Sequence, residues 1–189
     1  MRFFFFRRGP GPHALALAMV GVKMGERFLA LGSGTPGMIA AFAGKVGLTG
    51  RAAAIVAPED AATALRDRAA REGVLVDVEV QPRPPFGAVG ASFDVAVIDS
   101  TDGYLASLAP EVRVGVLRDL RRLLRPGGRA IVVERTPHGG LGKLVGGAGE
   151  RQRLGSEGTV EALSAEGFRP VRVIAERDGY LFVEGLRTT

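Results

Sequence analysis

The run Gly32-Ser33-Gly34-Thr35-Pro36-Gly37 has the G-x-G-x-x-G spacing with which a backbone wraps a nucleotide-type cofactor. In that pattern Gly32 makes the tight turn and Gly34 lets a ligand approach the main chain. Gly37 permits close helix–strand packing, and the next helix's N-terminus favours negative charge. Further on, Asp99, Ser100 and Tyr104 share one short stretch, and Glu134 and His138 another. Asp99 can take a proton from a reacting group, or it can cap the turn Asp99-Ser100-Thr101-Asp102-Gly103. Tyr104 reads as a pocket wall or as rim packing, and Glu134 as a residue lining a cleft. His138, beside Pro137 and Gly139, is either an exposed loop residue or a base. His13 is either a cap or surface residue or a contact to substrate or cofactor. There is no cysteine and no histidine besides these two. Thiol nucleophiles, disulfides, thiolate metal sites and histidine-rich zinc sites are thereby excluded.

These residues need a scaffold that brings strand ends together, and the chain reads as one. Residues 27–31 form a strand that enters the glycine run. Residues 38–46 then read as a helix, with Met38, Ala41, Phe42 and Val46 on one stripe. A second strand over 51–57 leads to a helix opened by Pro58, Glu59 and Asp60 and stopped by Gly73. A third strand covers 74–80 and a fourth 93–98. The amphipathic helix 111–124 buries Val112, Val116, Leu120, Leu123 and Leu124. After the turn Pro126-Gly127-Gly128 comes a fifth strand, 130–134. The stretch 136–149 is glycine-rich and loop-like, and Ser156 and Thr159 are candidate caps for a helix over 160–165. Strands 169–175 and 180–183 flank Asp178-Gly179, a hairpin signal. Strand–helix alternation closed by a hairpin predicts an α/β domain whose mostly parallel sheet carries helices on both faces.

The chain has 189 residues, 46% of them hydrophobic, which suits one domain with a substantial core and excludes a disordered chain. Residues 1–11 read as a tail and 12–189 as a single domain. Arg7 and Arg8 before the apolar run 14–22 superficially resemble a secretory signal. Cleavage there would leave the first strand little lead-in, so the run is expected to be the first helix, over 12–20, of a cytoplasmic protein. Phe3 to Phe6 read as a short strand or tail packed on the domain, or as a substrate lid or shallow membrane contact. No apolar stretch approaches the roughly 18 residues of a transmembrane helix. Net charge is +5, with 22 Arg against 3 Lys. The cluster Arg118, Arg121, Arg122 and Arg125 lacks an aromatic platform and reads as a solvated helix face, which argues against nucleic acid as a partner.

A dinucleotide site would ask for an acid at the end of the second strand. That strand ends Ile55-Val56-Ala57-Pro58, and Glu59 and Asp60 arrive two and three residues late. An NAD-dependent oxidoreductase is therefore weakened as a reading, though not excluded.

The chain as a whole resembles the class I S-adenosylmethionine (SAM)-dependent methyltransferases. The resemblance rests on the lead-in from Gly21 through Gly37 and on Phe93-Asp94-Val95-Ala96-Val97-Ile98. It rests equally on the segment from Leu120 through Pro126-Gly127-Gly128 to Val133, and on Gly167-Phe168 before the terminal hairpin. It implies a three-layer Rossmann-like sandwich whose seven-stranded sheet has order 3-2-1-4-5-7-6, the last pair antiparallel. It also implies SAM as cofactor, with Gly32, Ser33, Gly34 and Gly37 at the glycine turn, Ala57 and Pro58 bordering ribose and adenine, and Asp99 and Ser100 facing the transfer site. Tyr104 and His138 would contact a small-molecule acceptor, and the oligomeric state, dimer included, is left open. Members of the family commonly carry acids at the positions of Ala30, Ala57 and Val80 or Gln81. Here all three are absent, and hydrogen bonds to charged groups are worth about 1.5–3 kcal/mol each. A catalytically silent methyltransferase-like domain is the competing expectation.

Overall fold

The structure, a computed structural model, describes residues 13–32, 35–87, 92–136 and 153–188. Seven strands form one sheet: β1 (Arg27–Leu31), β2 (Arg51–Val56), β3 (Asp77–Val80), β4 (Phe93–Ser100), β5 (Leu124–Arg135), β6 (Val171–Arg177) and β7 (Tyr180–Leu186). Their order is β3-β2-β1-β4-β5-β7-β6. Strands β1 to β5 pair in parallel, and β7 runs antiparallel to both its neighbours, as expected from the resemblance.

Helices cover both faces. On one lie α1 (Ala14–Val20), α2 (Pro36–Val46) and α3 (Glu59–Glu72), packed on Phe28, Ala30, Ala54, Val95, Val97 and Val133. The rings of Phe28 and Phe42, 5.1 Å apart, join β1 to α2. On the other lie α4 (Tyr104–Ser107), α5 (Pro110–Leu123) and α6 (Gly155–Ala165), packed on Leu29, Leu31, Ile55, Ala96, Ile98 and Val132. Alternate residues of each central strand serve opposite cores, so the central strands read as unbroken apolar runs. No helix among the described residues is long and apolar enough to cross a membrane.

Several element bounds differ from the sequence reading, each for a local reason. Pro36 opens α2 two residues early, because a proline at the first helical position lacks only an N–H that no intrahelical partner would take. The third strand keeps only Asp77–Val80 of the expected 74–80, and on this sheet edge it is nowhere fully buried. The turn expected at Pro126-Gly127-Gly128 lies inside β5. Phe93 pairs with Leu124 but Val95 with Arg129, so the intervening residues bulge from the ladder. The bulge is fastened to the strand exit of β7 by Gly127 N–H to the Arg187 carbonyl (2.7 Å) and Arg187 N–H to the Gly128 carbonyl (2.8 Å). Helix α6 begins at Gly155, so Ser156 and Thr159 lie within it instead of capping it. The short α4 was not expected at all. At the Asp178-Gly179 turn both residues have positive φ, 53° and 77°, as a two-residue hairpin requires.

Candidate functional site

The carboxyl ends of β1, β2 and β4 meet where the topology reverses, the crevice in which open α/β sheets bind ligands. Gly32 follows β1 with φ +108°, and its N–H continues the ladder to the Ile55 carbonyl at 3.3 Å. A Cβ at Gly32 would lie 2.6 Å from the Asp99 carbonyl oxygen and 3.5 Å from the Tyr104 ring. Only glycine fits, because the turn leans directly on the end of β4.

Asp99 is almost fully buried, and both its oxygens are engaged. Oδ2 accepts the Thr35 N–H at 2.7 Å, tying the glycine turn to β4. Oδ1 accepts the Thr101 N–H at 3.0 Å and its hydroxyl at 2.6 Å. The turn-capping arrangement open to Asp99 on sequence is the one formed. Ser100, also buried, accepts the Leu105 N–H on Oγ at 3.1 Å and so anchors α4. Tyr104, on α4, packs partly buried against the core beside Gly32. Burial and the Asp102 charge raise its pKa.

Gly37 lies in α2, and a Cβ there would sit 2.8 Å from His13 Nε2 and 3.4 Å from the Arg68 guanidinium. The close approach that it allows is therefore to the residue before α1 and to α3, not to a strand. Burial, reinforced by the Arg68 charge, holds the His13 imidazole below the usual histidine pKa, with Glu72 and Asp99 acting in the opposite sense. Ala57 is half-buried and Pro58 exposed at the end of β2. Ser33, Gly34 and His138 lie outside the described residues, as do Phe3 to Phe6.

At the three acid-free positions the structure places other chemistry. Ala30 is buried in the core beneath α2. Glu59, just past Ala57, is paired with Arg66 at 2.7 Å and faces solvent. Past Val80, the Gln81 amide donates to Glu79 Oε2 at 2.5 Å and accepts the Gly87 N–H at 2.8 Å, closing the loop after β3. Phe86 fastens the same loop, donating its N–H to buried Asp119 and accepting from Arg122 at 2.9 Å.

Beside the glycine turn, on the α1 side of the sheet, is a cavity of about 230 Å3 lined by His13, Leu15, Ala16, Thr35, Met38, Arg135, Tyr180 and Phe182. Sequence reasoning missed most of this lining. Arg135 and Tyr180 are 45 positions apart and meet only through the β5–β7 register. Glu134, buried at the end of β5, points elsewhere: it accepts the Gly155 N–H at 3.1 Å and the Thr159 hydroxyl at 3.3 Å, docking α6. Arg118 and Arg122 on α5, and Arg125 at the start of β5, are each held by a carboxylate. Arg118 pairs with Glu166, Arg122 with Asp119 and Arg125 with Asp94.

No protein-family model and no curated protein matches the sequence. Solved structures match over nearly the whole chain. A SAM-dependent methyltransferase from Aquifex aeolicus superposes with a TM-score of 0.75 at 18% identity, covering 94% of this chain and 90% of that one. A SAM-dependent O-methyltransferase from Thermotoga maritima gives 0.64 at 17% identity, covering 95% and 66%. The 4+2 cyclase SpnF gives 0.70 at 18% identity, covering 93% and 79%. The chain thus has the class I SAM-dependent methyltransferase fold.

Proposed function

We propose that this chain binds SAM and transfers its methyl group to a small-molecule acceptor. The observation that carries the reading is the glycine turn itself. It stands at the topological switch point, with Gly32 leaning on the end of β4 and Thr35 bonded to Asp99, and the cavity opens beside Thr35. The lack of a side chain at Gly32 is what a backbone cradle for a cofactor demands, and the small Ala57 leaves the end of β2 open to a ribose. When bound, the cofactor supplies a methyl group already activated on a sulfonium. The protein's work is then to align and to exclude water. Gly32 and Thr35 would hold the methionine end through their backbone, and Ala57 and Pro58 would border the ribose. Asp99 acts as a positioning residue, since both its oxygens already accept hydrogen bonds from the turn and from Thr101.

A second reading, a domain of this fold that does not transfer methyl groups, is favoured by the missing acids at Ala30, Ala57 and Val80 or Gln81. The cyclase among the neighbours carries the fold under a different reaction name. Incubation with methyl-labelled SAM and a panel of small hydroxylated and amine acceptors separates the two. Label recovered in a low-molecular-weight product supports methyl transfer. Cofactor bound without label moving to any acceptor supports the second reading.

A further inference from the structure

The cavity beside the glycine turn has one permanent charge in its lining, Arg135, and no carboxylate. Among the described residues no acid pairs with the Arg135 guanidinium, which lies 5.1 Å from the centre of the Tyr180 ring. A cation–π contact uses the charge and consumes no acceptor for the guanidinium's planar fork of N–H donors, a fork that matches a carboxylate in two places. Tyr180 and Phe182, their rings 6.2 Å apart and tilted by 35°, extend an aromatic wall inward from that charge. Met38, Leu15 and Ala16 complete an apolar lining, and His13 and Thr35 mark the end near the glycine turn. A cavity of about 150 Å3 already admits benzene, so 230 Å3 suits one substituted ring.

We infer that this cavity binds a single-ring organic acid, its carboxylate on Arg135, its ring against Tyr180 and Phe182, and its far end directed towards Thr35. Resting on the methyl-transfer reading, this names the acceptor class as small aromatic carboxylates. The guanidinium supplies affinity and direction: it holds the acid end at the rim and turns the opposite substituent towards the cofactor crevice.

Binding of 4-hydroxybenzoate and of its neutral analogue 4-hydroxybenzamide, followed by ligand-observed NMR titration, tests the assignment without turnover. The protein is expected to bind the acid at least tenfold more tightly than the amide. Arg135→Gln is expected to erase that preference, and Arg135→Lys to restore only part of it. Equal binding of acid and amide, binding of neither, or a preference that survives Arg135→Gln overturns the proposal. S-adenosylhomocysteine titrated into the same samples reports separately on the methyl-transfer reading. Its failure to bind, with the acid preference intact, would remove that reading and leave the anion site standing.

Discussion

Asp99 shows how one carboxylate can tie a turn to the end of a neighbouring strand. Its Oδ2 faces a backbone N–H, so in Asp99→Asn an amide nitrogen in that place would oppose the Thr35 donor, while an oxygen there would fail Thr101. Hydrogen bonds to charged groups contribute about 1.5–3 kcal/mol. The variant is expected to lose roughly 2 kcal/mol in urea unfolding and to bind S-adenosylhomocysteine at least tenfold more weakly. Ala57 makes the complementary case. It follows β2 half-buried, with the next acid along the chain, Glu59, held by Arg66. Ala57→Glu would return a charged acceptor to the ribose side. Calorimetry is expected to show at least tenfold tighter binding of S-adenosylhomocysteine, about 1.4 kcal/mol. The sequence made the absence of an acid at Ala57 visible. It left the roles of Asp99 open, because the choice between proton transfer and turn capping depends on which donors surround the carboxylate in three dimensions.

At the scale of elements, strand and helix order was legible because the central strands are apolar runs and the helices carry their own start and stop residues. Gly73, for instance, takes the left-handed conformation where α3 ends. What escaped was whatever depends on pairing between distant segments. The bulge in β5 is set by the register of β4 and by Arg187, more than fifty residues downstream. The early start of α6 is set by Glu134, whose carboxylate reaches Gly155 and Thr159 from the end of β5. Burial raises the Glu134 pKa, and the hydrogen bonds from Gly155, Thr159 and Leu154 together with the Arg153 charge only partly oppose this. The folded state therefore holds this proton more firmly than the unfolded chain does. Its contribution to stability is fully present below the ordinary value of 4.5 and declines as pH rises through the raised native value. Glu134→Gln keeps an oxygen for the Gly155 N–H and abolishes that titration. Urea melts between pH 4 and 8 are expected to show a flatter pH dependence in the variant, with stability at pH 7 within about 1 kcal/mol of the parent.

Across the whole molecule, several of the arginines behind the net charge of +5 are matched by nearby carboxylates. Arg118 and Arg122 of α5 and Arg125 at the start of β5 are each paired with a carboxylate, and Arg125 also helps to hold Asp94 at the start of β4. Burial alone would raise the Asp94 pKa. The Arg27 N–H and the Arg125 guanidinium outweigh it and bring the value down. That stability is present above the ordinary aspartate value and is lost as pH falls through the lowered one. Asp94→Asn is accordingly expected to cost on the order of 1 kcal/mol at neutral pH and to lessen the loss of stability in acid, measured by the same melts. Among the described residues Arg135 has no acid partner, and it lines the same cavity as Thr35 of the glycine turn. The central claim is that this turn still receives SAM although the usual acids are gone. Isothermal titration of the intact protein with S-adenosylhomocysteine up to millimolar concentration tests it most directly. The account predicts saturable one-to-one binding, with Tm raised by about 3–6 °C at ligand tenfold above its dissociation constant. Absence of binding heat at millimolar ligand, with Tm unmoved, would contradict it.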